Sequence, residues 1–452
     1  MVFSSVTFLF IFLPLTLLLV RLAKPNVKAM NGVLLVMSLL FYAWGEPVYL
    51  FLMLLSSAVN YFTAFAIRKR PVFVFNIIFN LALLALFKYA GFFTEMLNAL
   101  TGAALPVPEI PLPIGISFYT FQTMSYIIDL RRGEAALQKN YFRLLLYITL
   151  FPQLIAGPIV RYSDIEEQMS CREITSEDLS CGTRRFVRGL AKKLLIANQM
   201  AYVVDSLYGK TAFTFSLAWV LAGFYVLQLY FDFSGYSDMA IGLGRLFGFR
   251  FRENFDYPLR SASMQAFWRR WHISLSSWFK EYLYIPLGGN RKGKFRTHIN
   301  RLIVFFLTGL WHGAALNFIL WGLWQWLWIT LEKIFAPVLK RVPKLLRHLL
   351  TLVLVLFGFV LFRADTLSMA AAQMQAMLRP GLQSQTADLL LQRALSPFVL
   401  VVFALAWLLA LRVLQRIKVP KAFRLLGTAA LWILCLLRLA ASSYNALSSF
   451  RF

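Results

Sequence analysis

The chain has 452 residues, of which 59% are hydrophobic and 15% charged, and it includes 43 Phe and 12 Trp. A water-soluble domain cannot bury that much apolar surface, so the composition excludes a soluble globular protein and predicts an all-α polytopic membrane protein. The net charge of +26 does not indicate nucleic-acid binding, because the basic clusters alternate with apolar runs of membrane length and belong to cytoplasmic loops.

The positions of Lys and Arg predict how the N-terminal spans are oriented. Basic residues cluster after the first apolar run and again at 68–70 and 131–143, whereas 29–67 and 89–130 contain none. Because basic loops are retained in the cytoplasm, we expect the N-terminus and the proline-rich loop at 106–113 to face outside. No Lys or Arg precedes the first apolar run, which argues against a cleavable signal.

The apolar run at 144–160 predicts a re-entrant hairpin rather than a full span. Positive charge flanks the run on both sides, and Pro152 and Gly157-Pro158 interrupt it. Irregular backbone is allowed at membrane depth only where protein or a water-filled cavity surrounds it. We therefore expect this segment inside the helical assembly.

Other apolar runs predict further spans, for a total of roughly ten or eleven, in a single membrane domain. We divide this domain into N-terminal spans at 1–130, a core at 131–331, and C-terminal spans with a tail at 332–452. Core residues 245–301 carry twelve Lys or Arg against three acidic residues, so we expect them in the cytoplasm. The other predicted spans are 193–207, 213–249, 349–362, 397–411 and 425–437.

An aromatic stripe in the cytoplasmic segment predicts an amphipathic helix at the membrane surface. Its members recur at steps of three and four residues, and they are Trp268, Trp271, Leu275, Trp278 and Tyr282. His272 lies beside this stripe. An interfacial histidine satisfied by water or a carbonyl and a functional histidine are both open interpretations.

His312 is the strongest single candidate for a site. It lies ten residues into 302–331, a run without any charged side chain. That distance is about 15 Å along a helix, or roughly half the hydrocarbon core of a bilayer. Burial disfavours the charged imidazolium, so the ring is expected to be neutral and able to activate a hydroxyl group. The alternative is a structural ring bonded to a nearby carbonyl or to Thr308.

Asp232 and Asp238 lie six residues apart within an apolar run, where each carboxylate requires a partner. They either line a functional cavity or pair with arginines to hold the fold. The histidines and the three cysteines of the chain show no metal-ligand spacing, so we predict no metal site.

Several motifs together resemble the membrane-bound O-acyltransferase (MBOAT) family. They are Phe267–Ser276 (FWRRWHISLS), Tyr284–Arg291 (YIPLGGNR) and Gly309–Gly313 (GLWHG), with further similarity at 153–161, 232–238 and 253–255. The chain is most similar to the bacterial subgroup that O-acetylates alginate and cell-wall polysaccharides. The related proteins of teichoic acid D-alanylation usually lack the PLGGNR run found here.

The resemblance implies a ring of spans, with re-entrant and interfacial helices, around a central tunnel. It implies that His312 is the principal catalytic residue and that His272 is the second histidine of the family pair. Supporting residues are expected around the tunnel, with the Trp311 indole a candidate for stabilising an oxyanion. These residues are Trp311, Asp232, Asp238, Trp268, Trp271 and Asn317.

The resemblance also implies a donor and partners. The acyl group is expected from a cytoplasmic thioester, either acetyl-CoA or an acyl carrier protein, with no bound cofactor. Cations of the cytoplasmic segment would attract the acidic donor, and the predicted set is Arg269, Arg270, Arg291 and Lys292. The chain itself is expected in the bacterial inner membrane. A separate extracytoplasmic SGNH-type protein is expected to complete transfer to the polysaccharide.

The C-terminal tail departs from the family pattern. Many bacterial members end in an aromatic tail with a tyrosine that is a candidate acyl relay. Phe450 and Phe452 match this tail, but Ser449 stands in place of the tyrosine. Either Ser449 carries the acyl group on the outer face, or a partner's hydroxyl does, or the tail is a plain hydrophobic anchor.

Two alternatives from different classes follow from the residues. An O-acyltransferase fits the aromatic helix and a single mid-membrane base, whereas a proton-coupled transporter would use the intramembrane Asp and His residues as a relay. Such transporters usually show paired repeats, and none is seen in the sequence. Within the enzyme class, D-alanyl transfer from a carrier protein is the alternative to acetyl transfer.

Overall fold

The computed structural model describes residues 1–155, 157–413 and 420–441, and every regular element within them is helical. We number the α-helices in chain order. The first ten are α1 Leu13–Leu22, α2 Val27–Ala43, α3 Pro47–Ala64, α4 Arg70–Thr101, α5 Ile116–Arg132, α6 Tyr141–Thr149, α7 Phe151–Leu154, α8 Tyr162–Ser170, α9 Ser176–Ala191 and α10 Asn198–Leu207.

The remaining α-helices are α11 Phe215–Leu246, α12 Met264–Trp268, α13 Ile273–Phe279, α14 Gly293–His312, α15 Leu316–Ile334, α16 Ala336–Leu339, α17 Lys344–Arg363, α18 Leu367–Met377, α19 Gln385–Ala394, α20 Pro397–Ala410 and α21 Lys421–Ala441. Three π-helical turns accompany them, at Phe8–Phe12, Lys192–Ala197 and Lys280–Tyr284, with a 3₁₀ turn at Pro258–Arg260. The predicted all-α class is confirmed.

Several of these helices have the length and apolarity of membrane spans. Among the described residues, α3, α4, α11, α17 and most of α21 meet both conditions, and α19 with α20 adds a sixth if this pair, bent by 78°, is one span. The helices at Phe8–Leu22 and Val27–Ala43 are apolar but shorter. The chain is therefore a multi-pass membrane protein, while ten or eleven spans stays a prediction.

The described chain forms two compact units. The first unit contains Met1–Val187 and Tyr236–Glu253, and the second contains Arg188–Gly235 with the described residues from Asn254 onwards. Helix α11 contributes residues to both units. The single-domain organisation expected from the sequence stays a prediction.

Buried amides join the N-terminal spans of the first unit. Asn60 on α3 donates to Asn80 on α4 at 3.2 Å, and Asn76 donates to Asn60 at 3.0 Å and to Thr63 at 2.7 Å. All three asparagines are fully buried. Side-chain hydrogen bonds of this kind hold helices together where lipid provides no hydrophobic driving force.

The run at 144–160 is broken where the sequence predicts an interruption. Helix α6 ends before Leu150, and α7 begins with Phe151-Pro152, because proline tolerates only the first turn of a helix. The Phe151 N–H donates to the Ser38 hydroxyl, and the Gln153 amide donates to the Tyr147 carbonyl. Protein groups therefore satisfy the broken backbone, as membrane depth requires.

The uncharged run at 302–331 forms two helices, and the ten residues before His312 are helical, as the sequence analysis assumed. Helix α14 ends at His312, and α15 begins at Leu316 after a short extended turn. Where a glycine of one helix meets the backbone of the other, the two helices lie too close together to leave room for a side chain. A Cβ on Gly309 would overlap the Phe318 carbonyl, and one on Gly322 would overlap the Phe305 carbonyl. Small residues thus close this helical hairpin.

The predicted amphipathic helix is also divided. Helices α12 and α13 are separated by residues 269–272, because His272 adopts a left-handed backbone with φ 43°. The aromatic stripe is buried within the protein, so the surface helix expected from its periodicity is wrong in both its continuity and its exposure.

Candidate active site

The turn that ends α14 places the His312 ring in an aromatic enclosure within the second unit. The Trp321 ring lies edge-on at 4.9 Å between centroids, the Phe362 ring at 5.2 Å and the Trp311 ring at 5.0 Å. His312 is 7% exposed. Helices α14, α15 and α17 each contribute at least one wall, so the ring's orientation depends on the packing of all three.

Trp311 connects His312 with His272. The indole lies 6.3 Å from the His272 ring and 5.0 Å from the His312 ring, both nearly edge-on. The two histidines are 40 positions apart in sequence, but in the structure only the Trp311 indole lies between their rings. The structure brings together the pair that the family resemblance implied.

His272 occupies a confined and strained position at the start of α13. Its side chain is 1% exposed, and its ring meets Phe233 edge-on at 4.7 Å. Burial lowers the pKa of His272 to about 3, because desolvation disfavours the imidazolium. The ring is therefore neutral at physiological pH. The ring is buried rather than exposed at a surface, and its functional role stays a prediction.

Three further predicted residues organise the walls around these rings. Trp268 contacts Trp321 at 5.7 Å and donates its indole N–H to Gln325 at 3.2 Å. Asn317 donates to the Ala364 carbonyl at 2.7 Å, which ties the start of α15 to the residue after α17. Trp271 packs against Phe359 at 5.2 Å. None of these contacts was specified by the sequence pattern.

The two intramembrane carboxylates are held in ion pairs. Asp232 accepts from the buried Lys193 ammonium in the second unit, and Asp238 pairs with Arg185 at 2.6 Å in the first. Arg185 also binds Glu253. These contacts match the alternative that the carboxylates hold the fold, although Lys193 stands where an arginine was expected.

A basic pocket of about 520 Å³ lies beside Trp268, which forms part of its wall. Five cationic side chains line it, and they are Arg269, Lys280, Arg291, Arg301 and Lys333. The pKa of Lys333 is lowered, mainly by burial and to a smaller extent by the charges of Arg301 and Arg269. Such concentrated positive charge creates a binding place for an anion.

Only part of this pocket was predicted. Arg269 and Arg291 line it, whereas Arg270 pairs with Asp256 at 3.8 Å and Lys292 is outside its lining residues. Lys280, Arg301 and Lys333 were missed because they come from three different elements, and no local spacing joins them. Their positive charge, in or near a segment predicted to be cytoplasmic, was the available signal.

The loop with the PLGGNR run shapes the far wall of the pocket. Gly288 and Gly289 have φ of 103° and 55°, a left-handed backbone that glycine adopts without a steric penalty. The buried Asn300 side chain donates to the carbonyl oxygens of Leu287 and Gly289 at 3.3 and 2.9 Å. Arg291 is thus held at the pocket by a fixed turn.

Two remaining predictions concern the tail and metals. Ser449 lies outside the described residues, so its role as an acyl relay stays a prediction. In the part of the chain that the structure describes, no group of three or more His, Cys, Asp or Glu residues could hold a metal ion.

Residues 115–369 of the chain match the family described as MBOAT, membrane-bound O-acyltransferase family. A Pseudomonas aeruginosa protein named "Probable alginate O-acetylase AlgI" is 42% identical over 394 residues, which are 84% of this chain and 76% of that protein. A Helicobacter pylori peptidoglycan O-acetyltransferase is 34% identical over 419 residues, which are 83% and 80% of the two chains. A Bacillus subtilis teichoic acid D-alanyltransferase is 29% identical over 278 residues, which are 55% and 68%.

Proposed function

The chain belongs to the membrane-bound O-acyltransferase family, and we propose that it moves an acetyl group from a cytoplasmic thioester to an exported polysaccharide. The observation that carries this proposal is that the His272 and His312 rings both lie against the Trp311 indole. A pocket lined by Trp268 and five cations lies nearby. The relatives that are more than 30% identical over most of the chain are named for O-acetylation of alginate and peptidoglycan. Family membership also removes the transporter alternative.

His312 is the proposed general base. Its ring takes the proton of an acceptor hydroxyl while that oxygen attacks the thioester carbonyl. A C–O bond forms, the C–S bond breaks, and the departing thiolate takes the proton from the His312 imidazolium. Negative charge develops on the carbonyl oxygen during attack, and the Trp311 indole N–H is the proposed donor that stabilises it.

We propose acetyl-CoA as the donor. Its phosphates match the concave cluster of five cations, whereas a carrier protein would present a convex acidic surface. Trp268 belongs both to the pocket wall and to the ring cluster that reaches His312 through Trp321. The nucleotide in the pocket would therefore direct the thioester arm towards the histidines.

The acceptor side is proposed to lie outside the bacterial inner membrane, with the N-terminus on the same side. An SGNH-type partner there would pass the acetyl group to the polysaccharide. The hydroxyl that first receives the group belongs either to Ser449 or to this partner. D-alanyl transfer is less supported, because the D-alanyltransferase similarity covers 55% of the chain.

The function is tested by replacing the proposed base. His312→Gln should lower polysaccharide acetylation in cells by at least about 100-fold, which is the contribution expected of a general base. His298→Gln is the matched control, because it removes a histidine from the same helix α14. Membrane insertion and thermal stability of both variants should match the unmodified protein. Retained acetylation in the His312 variant would contradict the proposal.

The donor is tested by neutralising pocket cations. Arg301→Gln and Lys333→Gln should each raise the KM for acetyl-CoA about tenfold, which corresponds to one lost charge-assisted contact. The KM for S-acetyl-N-acetylcysteamine, which lacks phosphates, should not change. Lys292→Gln serves as the control because it removes a nearby exposed charge that does not line the pocket. Equal KM effects on both donors would contradict nucleotide binding in this pocket.

A further inference from the structure

Asn254 is joined by its backbone to the strained start of α13. The Ile273 N–H donates to the Asn254 carbonyl at 2.9 Å, and the Asp256 N–H donates to the Arg270 carbonyl at 3.0 Å. Asn254 is fully buried. These bonds hold residues 254–256 beside 270–273, so the Asn254 side chain has little freedom to move away from His272.

The Asn254 side chain caps α13. Its Oδ1 accepts from the Ser274 backbone N–H at 3.1 Å and from the Ser274 hydroxyl at 2.9 Å. In most helices the N-cap residue provides this acceptor itself. His272 holds the N-cap position with a left-handed backbone and makes no side-chain cap bond. An asparagine from another segment provides the cap.

The same oxygen reaches the His272 ring. The distance from Asn254 Oδ1 to His272 Nδ1 is 3.3 Å. The backbone N–H of Ser274 can only donate, so the atom that it contacts must be the amide oxygen, which fixes the orientation of the Asn254 amide. An oxygen cannot donate, so the ring bonds to it only when Nδ1 carries the hydrogen.

The other ring nitrogen is left as an acceptor. Burial keeps the ring neutral, and a neutral ring with hydrogen on Nδ1 has a lone pair on Nε2. Within the described residues, His272 Nε2 is buried and has no hydrogen-bond partner. A buried acceptor without a partner carries an energetic cost, which a donor group of a bound molecule would relieve.

We propose that Asn254 is a positioning residue that fixes His272 as the Nδ1–H tautomer, so that Nε2 accepts a hydrogen bond from an O–H or N–H group of the bound substrate. This inference rests on the proposed function and adds to it. Asn254 touches no reacting atom, and it acts through the ring of His272. Asn254 therefore has two roles: it caps α13, and it determines which His272 nitrogen is available to the substrate.

The tautomer is measured by NMR of the detergent-solubilised full chain labelled with ¹³C,¹⁵N-histidine. The His272 signal is assigned by its loss in His272→Gln. We expect the unmodified protein to show a protonated Nδ1 and an unprotonated Nε2 at pH 7. A ring protonated on Nε2 alone would overturn the proposal, and this result requires no variant at Asn254.

Variants separate positioning from simple capping. Asn254→Ala should move His272 towards the Nε2–H tautomer and lower kcat about tenfold, whereas Asn254→Asp retains an acceptor oxygen and should retain the tautomer. Ser274→Ala removes another donor to the same oxygen and should leave the tautomer unchanged. An Asn254→Ala protein with the original tautomer and full kcat would overturn the inference. The predicted tautomer in a protein that transfers no acetyl group would contradict only the proposed function.

Discussion

The backbone holds the two histidines of the site in different ways. His312 ends α14 before an extended turn, and its ring is fixed by three aromatic neighbours. His272 has a left-handed backbone, which costs roughly 1–2 kcal/mol for a residue with a side chain. The cap from Asn254 and the backbone bonds around it offset this cost. Strain of this kind is often found where a side chain must be aimed.

Burial of His272 makes the stability of the protein dependent on pH. Its pKa is about 3 in the folded protein and about 6.5 in an unfolded chain. Below pH 6.5 the unfolded chain takes up a proton that the folded chain excludes, so stability falls as pH falls towards 3. From pH 7.5 to pH 5 this amounts to about 2 kcal/mol of unfolding free energy.

The measurement compares unfolding free energies of the unmodified protein and His272→Gln in detergent at both pH values. The variant should lose about 2 kcal/mol less on acidification. Equal losses in the two proteins would show that the His272 ring is accessible to protons.

Single residues could be predicted where their chemistry conflicts with their surroundings. His312 is identified by a lone imidazole in an uncharged run, and Asp232 and Asp238 by charge in an apolar helix. Their partners could not be predicted, because Lys193 and Arg185 lie 39 and 53 positions away in sequence. Only the folded chain joins them.

At the scale of elements, the hairpin of α14 and α15 positions the site. Its two helices approach until glycine and backbone meet, which sets the depth and the direction of His312 at the turn. Gly309→Ala should destabilise the protein by about 1–3 kcal/mol, because the added Cβ meets the Phe318 carbonyl rather than a movable side chain. It should also reduce acetyl transfer, since the turn that carries His312 is displaced.

Gly427→Ala is the matched control for this prediction. It adds the same methyl group to a helical glycine of α21, where the new carbon meets no side chain and no backbone beyond that of its own helix within 4 Å. Its unfolding midpoint should equal or slightly exceed that of the unmodified protein. A Gly309→Ala protein with unchanged stability and activity would show that the helices can move apart.

Apolar runs and their lengths predicted α11, α17, α20 and α21, because a continuous apolar helix has a strong signature. The breaks were harder to predict. The turn before α15 contains only Gly and Ala, which leave hydropathy uninterrupted, and the aromatic period continues across the gap between α12 and α13. A left-handed histidine has no signature in sequence, since the conformation is imposed by tertiary contacts.

At the scale of the whole molecule, the charge distribution predicts which loops face the cytoplasm. Cys171 is exposed, and it lies in the loop that follows the predicted re-entrant hairpin at 144–160, which we expect on the cytoplasmic side. In a protein with Cys181→Ser and Cys435→Ser, an impermeant maleimide should label Cys171 in inverted membrane vesicles and leave it unlabelled in spheroplasts. A cysteine introduced as Glu109→Cys without native cysteines should show the opposite pattern. Labelling of Cys171 from outside would reverse the proposed topology.

The crowding of like charges around the basic pocket has a consequence for regulation. Because Arg301 and Arg269 both repel the Lys333 ammonium, a molecule that supplies phosphates there would relieve that repulsion, with or without an acetyl group attached. Free CoA should consequently compete with acetyl-CoA at similar concentrations. With acetyl-CoA as the proposed donor, polymer modification would then follow the ratio of acetylated to free coenzyme.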